Sequence, residues 1–216
     1  MEHYGPRLDF GMIAVRINGK RHFCPSSWHE VTVKQFVQIA TEWEPEKDIA
    51  DRDYYGLLNI LTGNSFTSIR QEIELNVTLI NLVGWVIASP FQFDKEPPKT
   101  LKIGKQLIPV PQDISEVSIG QMIHLRRDFL EKSKYMEQNI AIATAILLQP
   151  AIDGKPFDLS RAKQIAKEID AMAITLIHPI GFFLLRHAAN FGTMPLKTWP
   201  RIRNSLKKTL KKMFPG

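Results

Sequence analysis

Two short stretches of similar sequence decide the fold of this chain: Glu-Val-Thr-Val-Lys-Gln-Phe at residues 30–36 and Glu-Val-Ser-Ile-Gly-Gln-Met at residues 116–122. Each holds a hydroxyl residue with a glutamine three positions later, Thr32 with Gln35 and Ser118 with Gln121. In this capping box the hydroxyl accepts a hydrogen bond from the third amide of a helix, and the glutamine side chain returns to the capping residue. A helix is therefore predicted to begin at each place.

The similarity extends beyond the capping boxes. At the same offset of 86 positions, Pro25 matches Pro111, and Ile60-Leu61 matches Ile146-Leu147. Further along, Thr78-Leu79-Ile80 matches Thr175-Leu176-Ile177 at an offset of 97, so the second copy carries about 11 extra residues. Because the blocks keep their order, we interpret them as an internal repeat rather than as chance. The predicted organisation is unit 1 at residues 12–98, unit 2 at residues 99–192, and a tail at residues 193–216.

Each unit opens with a predicted β-hairpin. Residues 13–17 and 20–23 flank Asn18-Gly19, which is a strong signal for a two-residue hairpin turn. In unit 2, residues 100–103 and 106–108 flank Gly104-Lys105. The remaining segments have helical spacing, so the predicted fold class is mainly α with small β-hairpins (α+β).

Further helices are predicted after each capping box. The second helix covers about residues 51–62 in unit 1 and 137–148 in unit 2, with Gly63-Asn64 and Pro150 as their stops. In unit 2 it is either separate from the helix before it or fused to it. Residues 158–170 predict an additional amphipathic helix in unit 2, capped by Asp158 or Ser160.

The last helix of each unit is the most apolar, and we expect the units to pack through these helices. Its predicted buried stripes are Leu79, Val83, Val86 and Ile87 in unit 1, and Leu176, Ile180, Phe183 and Leu184 in unit 2. Gly84 and Gly181 hold the same place in the repeat. Since glycine costs a helix about 1 kcal/mol relative to alanine, both indicate close approach of another backbone. Neither apolar run reaches the length of a membrane span.

Few residues suggest catalytic or metal chemistry. The sequence holds none of the common phosphate-binding, nucleophile-elbow or zinc-protease motifs. His22, Cys24 and His29 form the one cluster that resembles metal ligands, but zinc needs three or four ligands and unit 2 does not repeat the pattern. His178 is interpreted as a polar residue of a helix surface or interface. We expect no enzyme activity, no metal and no cofactor, and the single cysteine suits a reducing cytoplasm.

The positive charge is concentrated at one end. Of 28 basic and 22 acidic residues, the tail holds seven basic and no acidic ones, which leaves residues 1–192 with a net charge of −1. An apolar stripe runs through the tail between these basic residues, which predicts a basic amphipathic helix. Its candidate partner-binding residues are Trp199, Arg201, Ile202, Arg203, Leu206, Lys207, Lys208, Leu210, Lys211 and Lys212. Such a helix packs on the rest of its own chain, or it binds a protein or a nucleic acid. Binding to a membrane is a further alternative, which we do not expect.

The repeated pattern resembles a known group of proteins. Ile17-Asn-Gly-Lys20 and Ile103-Gly-Lys105, each followed by a proline and by the stretch quoted first, are similar to small bacteriophage proteins encoded among tail genes, the tail assembly chaperones and related tail-region proteins. The segments 147–158 and 180–185 add to this resemblance.

The resemblance implies a non-enzymatic assembly factor of the host cytoplasm that binds an aggregation-prone structural protein of the phage tail. The alternatives are a structural or connector protein of the virion, and a nucleic-acid-binding accessory protein that acts through residues 193–216. The oligomeric state is not predicted.

Overall fold

The computed structural model describes residues 12–17, 20–42, 51–64, 77–89, 91 and 96–190, and within these ranges the chain is mainly α-helical with two small antiparallel hairpins. The predicted α+β class is confirmed. The strands are β1 (Ile13–Ile17), β2 (Lys20–Cys24), β3 (Thr100–Ile103) and β4 (Gln106–Pro109). The helices are α1 (Val33–Glu42), α2 (Asp51–Thr62), α3 (Val77–Val83), α4 (Trp85–Ala88), α5 (Ile119–Asp128), α6 (Ile140–Asp153), α7 (Leu159–Ile169) and α8 (Ile174–Asn190). The tail and all its candidate partner-binding residues lie outside the described residues.

The two hairpins occupy the predicted positions. Ile17 lies opposite Lys20 in the first hairpin, and Ile103 lies opposite Gln106 in the second. Gly104 lies in the turn of the second hairpin with a φ of 59°, in the left-handed region that glycine adopts at no steric cost. Strand β2 packs against α2, and β4 packs against α6, so each hairpin lies on the second long helix of its own unit.

Both capping boxes are present at the starts of α1 and α5. The Thr32 amide donates to Gln35 Oε1 at 2.9 Å, and the Gln35 amide donates to Thr32 Oγ1 at 3.2 Å. The Ser118 amide donates to Gln121 Oε1 at 2.9 Å, and the Gln121 amide donates to Ser118 Oγ at 3.2 Å. The two helices therefore begin at equivalent positions of the repeat because the same hydrogen bonds satisfy their first amides.

The predicted end of the second helix is right in unit 1 and wrong in unit 2. Helix α2 ends at Thr62, and Gly63 follows it with a φ of 70°. Helix α6 begins at Ile140 rather than near residue 137, after a 3-10 turn at Met136–Asn139, and it continues through Pro150 to Asp153. Gly154, with a φ of 62°, follows its last residue. Pro150 is thus inside the helix instead of stopping it.

The glutamine of the capping box explains how α6 tolerates this proline. A proline has no amide hydrogen, so Pro150 leaves the carbonyl of Ile146, four residues earlier, without its helical donor. Gln121 Nε2 donates to that carbonyl. Gln35 Nε2 likewise donates to the Leu61 carbonyl, at 2.8 Å. Leu61 lies in the last turn of α2, where the carbonyls have no amide donor within the helix. Each glutamine therefore starts one helix and hydrogen-bonds the next.

The units are joined where α1 and α8 begin. The amides of Val33 and Lys34 donate to the carbonyls of Met172 and Asp170, at 2.9 and 3.1 Å, and the Ile174 amide donates to the Val31 carbonyl at 2.8 Å. Together with the capping box, these bonds satisfy the first amides of α1 completely. Whereas the sequence predicts contact between the two last helices, these bonds pair α8 with the first helix of unit 1.

The two repeated glycines approach different atoms. A Cβ on Gly181 would lie 2.7 Å from both the Ile140 carbonyl oxygen and Thr144 Oγ1, so this glycine lets α8 pack directly on α6. A Cβ on Gly84 would meet the carbonyl of Ile80, in the preceding turn of the same segment, where α3 gives way to α4. Only Gly181 therefore makes the contact between helices that the sequence predicts for both.

For one residue of the predicted buried stripes, the prediction of burial is wrong. Leu79, Val83 and Val86 are buried in unit 1, and Ile180 and Leu184 are buried in unit 2, but Leu176 is 51% exposed. Ile177, one position later, is fully buried instead. Because α8 packs against α1, α5 and α6, its buried side is not the one that α3 buries. None of the described helices has the length and apolar content that a bilayer span needs.

We predict that Gly181→Ala destabilises the protein by about 2–3 kcal/mol, because the added methyl forces α6 and α8 apart in a closely packed core. The measurement is urea unfolding followed by circular dichroism. Gly120→Ala is the matched control: this exposed glycine also lies in a helix, and its Cβ would meet only Ser118 Oγ at 3.9 Å. It should stabilise by up to about 1 kcal/mol. Equal effects at the two positions would contradict the close-packing role of Gly181.

Candidate functional site

The outward face of the first hairpin combines apolar and basic side chains. Directly opposed residues of a hairpin point to the same face, so Ala14 and Phe23 share one side of the sheet. Both are exposed, and 53% of the Phe23 surface is accessible to solvent. The Arg21 guanidinium lies 5.2 Å from the centre of the Phe23 ring. Met12, next to β1, is exposed as well. This surface places a large ring and a cation side by side in solvent.

The second hairpin repeats that combination with other residues. Lys102 and Leu107 are directly opposed, and both are exposed, Leu107 by 67%. The next pair, Leu101 and Ile108, points to the other side and is buried. Each unit therefore holds one hairpin face against its own core and presents an apolar residue beside a cation on the other. Large apolar side chains held in solvent are typical of protein-binding surfaces.

Hairpin 1 is fixed by its inward face. Cys24 is fully buried, and its burial, together with the nearby Glu30 carboxylate, raises the pKa of the thiol to about 12. His22 Nδ1 lies 3.2 Å from Asn64 Nδ2, just after α2. A thiol that stays protonated is a poor metal ligand, and among the described residues no three His, Cys, Asp or Glu side chains gather as a metal site would need. Cys24 and His22 thus position the hairpin.

A cluster of aromatic rings lies at the junction between the units. Trp28 contacts the rings of Phe36, Trp85 and Phe91 edge-on, at centroid distances of 6.2, 5.2 and 5.2 Å. Its Nε1 donates to the Ser89 carbonyl at 2.7 Å, just after α4. The cluster thereby holds the end of unit 1 against the first helix of the same unit, next to the start of α8.

His178 contacts this cluster from unit 2. Its ring lies 5.8 Å from Phe36, 5.1 Å from Phe91, and 5.1 Å from Phe182, on which it stacks. It is only 4% exposed, and this burial lowers its pKa from the ordinary 6.5 to about 4. Of the two positions considered for it, a helix surface and an interface, the structure shows the interface. The side chain is neutral in the folded protein at physiological pH.

We predict that His178 makes folding sensitive to mild acid. Because its pKa is lower in the folded than in the unfolded state, the stabilisation is complete above the unfolded pKa of 6.5 and is lost as the pH falls towards 4. The loss should amount to about 2 kcal/mol. His178→Phe keeps an aromatic ring and should remove this part of the pH dependence. Urea unfolding of both proteins across that pH range checks it, and parallel stability curves would refute it.

A charged cluster on α5 is among the features that sequence reasoning missed. His124 Nδ1 lies 2.8 Å from Asp128 Oδ2, and Arg127 Nε donates to Asp128 Oδ1 at 2.8 Å. The hydrogen bonds from Arg127 and His124 hold the pKa of Asp128 well below its usual range. The spacing i, i+4 on α5 signals the pair. Since Arg127 is exposed and its guanidinium already pairs with the Asp128 carboxylate, the cluster suits a surface ion-pair network.

Comparisons with protein-family models, with curated proteins and with solved structures found no match to this chain in any of the three. The hairpin faces, the aromatic junction and the charged cluster are therefore interpreted from their own geometry and chemistry. Of these, the hairpin faces are the best candidate for function, because their exposed apolar residues contribute little to the core.

Proposed function

We propose that this protein is a non-enzymatic assembly factor of a bacteriophage, similar in role to a tail assembly chaperone. It acts in the host cytoplasm and binds a structural protein of the phage tail through the outward faces of its two hairpins. The observation that carries the proposed binding is the repeated pairing of an exposed apolar residue with a basic one, Phe23 with Arg21 and Leu107 with Lys102.

These faces favour a partner with matching chemistry. An apolar side chain in water gains free energy when a partner covers it, at about 25 cal/mol per Å² of buried area. A neighbouring cation adds orientation, because it attracts acidic groups and repels basic ones. The proposed partner surface is therefore apolar with acidic residues at its edge. Such surfaces aggregate when left uncovered, which is the problem that an assembly chaperone solves.

The link to phage tails rests on the sequence resemblance of the repeated unit. The residues of that resemblance include Gly19-Lys20, Gly104-Lys105 and the capping boxes that follow them. In the structure, each capping box follows the two strands that present the proposed binding face of its unit. The resemblance supports the role, and the hairpin faces support the mode of binding.

We predict that Phe23→Ser with Leu107→Ser abolishes binding without unfolding the protein. Substitutions of exposed residues usually change stability by less than about 0.5 kcal/mol, so thermal unfolding should be nearly unchanged. The measurement is co-expression with each tail structural protein encoded near this chain. The unchanged protein should raise the soluble fraction of one of them, and the double variant should not.

Two other exposed apolar residues provide the control. Ile123 on α5 and Leu176 on α8 lie away from the hairpin faces, and Ile123→Ser with Leu176→Ser should leave the solubilisation intact. If the control variant fails as badly as the hairpin variant, the hairpin faces are not the binding surface. If no tail protein becomes more soluble, the chaperone function itself is wrong.

As a second candidate function, the chain serves as a structural or connector protein of the virion, or as an accessory protein that binds nucleic acid. The seven basic residues without an acidic one at residues 193–216 favour it, since such a cluster attracts phosphate groups. Mass spectrometry of purified particles separates a virion component from an assembly factor: an assembly factor is absent from the finished particle, whereas a structural part is present in fixed proportion.

A further inference from the structure

Each hairpin has an open edge along its first strand. Within the described residues, β1 pairs with β2 alone and β3 pairs with β4 alone, so each sheet consists of two strands. Strands β2 and β4 also pack against helices α2 and α6. Strands β1 and β3 therefore carry backbone N–H and C=O groups that face away from their partner strands and that a further strand can bond. The proposed function does not use these groups.

The register of the second hairpin identifies the open groups. In an antiparallel pair, opposed residues alternate between those that exchange backbone hydrogen bonds and those that do not. The Val110 amide donates to the Lys99 carbonyl at 2.9 Å, just before β3, so Lys99 is a bonded position and Leu101 is the next one. The N–H and C=O groups of Thr100 and Lys102 therefore point away from β4.

The first hairpin has the same arrangement. Since two residues separate Ile17 from Lys20, this opposed pair is the hydrogen-bonded one that closes the turn. Counting back along β1, the backbone groups of Ala14 and Arg16 point away from β2. Both open edges thus present the backbone groups of alternate residues to an incoming strand.

The residues along each open edge alternate between a basic outward face and an apolar inward face. Lys102 is exposed on the outward face, whereas Ile103, the next residue, belongs to the inward face and is partly buried. In β1, Ile13 lies opposite the buried Cys24 yet is 37% exposed, as is expected of an inward residue beside an open edge. Arg16 belongs to the outward face of the same strand.

Both hairpins contain basic residues and lack acidic ones. Residues 10–29 contain three basic residues and no acidic one, and residues 97–112 contain the same numbers. These six charges belong to a range, residues 1–192, whose net charge is −1, so the rest of that range has a net charge of −7. Within the described residues, no ion pair engages Lys102 or Lys105. The hairpins are therefore the cationic parts of an otherwise acidic body, and they attract acidic ligands.

The charge and the open edges together favour an extended acidic segment of another protein as the ligand. A second copy of this chain is disfavoured, because its hairpins carry like charges that repel when strands lie side by side. Single-stranded nucleic acid matches the charge, but its bases stack on exposed rings, and the exposed Phe23 has the aliphatic Leu107 as its counterpart in the second hairpin. The open edge is repeated in both hairpins, whereas the ring is not.

We infer that these edges bind their partner by strand addition, in which an extended segment with alternating acidic and apolar residues becomes a third strand beside β1 or β3. Its backbone bonds the outward groups of the edge, such as those of Thr100 and Lys102. Its carboxylates lie next to the basic face, and its apolar side chains cover Ile13 or Ile103. This inference rests on the proposed function, for which it supplies the form of the partner.

The test follows backbone hydrogen exchange by NMR in the full chain. The probe is an acetylated peptide of alternating glutamate and valine, about nine residues long. At saturation, the amides of Thr100 and Lys102 should exchange about tenfold more slowly, because they gain acceptors. Those of Leu101 and Ile103, which already bond to β4, should change little. A control peptide with its glutamates in one block and its valines in another should bind more weakly and give no such alternation.

Variants of β3 connect the binding to its open edge. Thr100→Pro removes an outward amide hydrogen without breaking a bond to β4, so the peptide should no longer protect the Lys102 amide. Lys102→Glu reverses the charge beside the peptide and should weaken binding at the second hairpin about fivefold; it decides the question if Thr100→Pro disturbs the hairpin. Lys167→Glu is the matched control, because Lys167 is also exposed but lies on α7. In each variant the Ala14 amide should still report binding at the first hairpin.

Several results would overturn the inference. They are uniform protection along β3, equal affinity of the two peptides, unchanged affinity in Lys102→Glu, or no saturable binding up to about 5 mM peptide. Tighter binding of a thymidine oligonucleotide without the alternation would make the edges a nucleic-acid surface. A dimer that forms without peptide and protects the Thr100 amide would make them a contact between copies of the chain. Either of these results contradicts strand addition by a partner protein.

Strand addition and the proposed chaperone function can fail separately. If a tail protein becomes more soluble on co-expression but the peptide gives no alternation in exchange, strand addition is wrong and the chaperone function stands. If the peptide gives the alternation but no tail protein becomes more soluble, the edges bind strands and the chaperone function is wrong.

Discussion

The carbonyl oxygen of Ile146 must find its hydrogen-bond donor outside its own helix, and the core of unit 2 depends on how that need is met. Residues 140–149 of α6 are all buried, so water is not available to this carbonyl. Leaving it unpaired would cost about 1–3 kcal/mol. Gln121 supplies the donor, and the same side chain caps α5 through its oxygen. One amide group thus fixes the start of α5 at a defined place on α6.

The position of the second hairpin follows from this constraint. Val117, next to the cap, is buried and leads back through a short connection to β4, whose Ile108 packs into the core with Leu101. In unit 1, Gln35 makes the equivalent link to the end of α2, and Cys24 anchors the hairpin. Both hairpins are therefore attached to rigid helices by one face only. A rigid support with a free apolar face is what a protein-binding surface requires, because little further ordering is lost on binding.

The sequence predicts those features that depend on neighbouring residues. Thr32 and Ser118 mark helix starts because their hydrogen-bond partners lie three positions away. Asn18-Gly19 and Gly104-Lys105 mark hairpins for a similar local reason. Asp158 caps α7 by accepting from the amides of Ser160 and Arg161, also close in sequence.

Features that depend on distant residues were beyond such reasoning. Pro150 reads as a helix stop, since its compensating donor lies 29 positions earlier, on Gln121. Leu176 has the spacing of a buried residue, but the helices around α8 decide which side is covered. The connection between α5 and α6 is irregular and carries no periodic signal, and the tail at residues 193–216 lies outside the described residues.

A double-mutant cycle at Gln121 and Pro150 tests the central constraint most directly, with the free energy of unfolding measured for Gln121→Met, Pro150→Ala and the pair. Alanine restores an amide hydrogen that bonds the Ile146 carbonyl from within α6. If Gln121 compensates for the proline, Gln121→Met should cost about 1–2 kcal/mol less in the alanine background than in the natural one. Strictly additive effects would contradict the account, because Gln121 would then stabilise the protein by capping α5 alone.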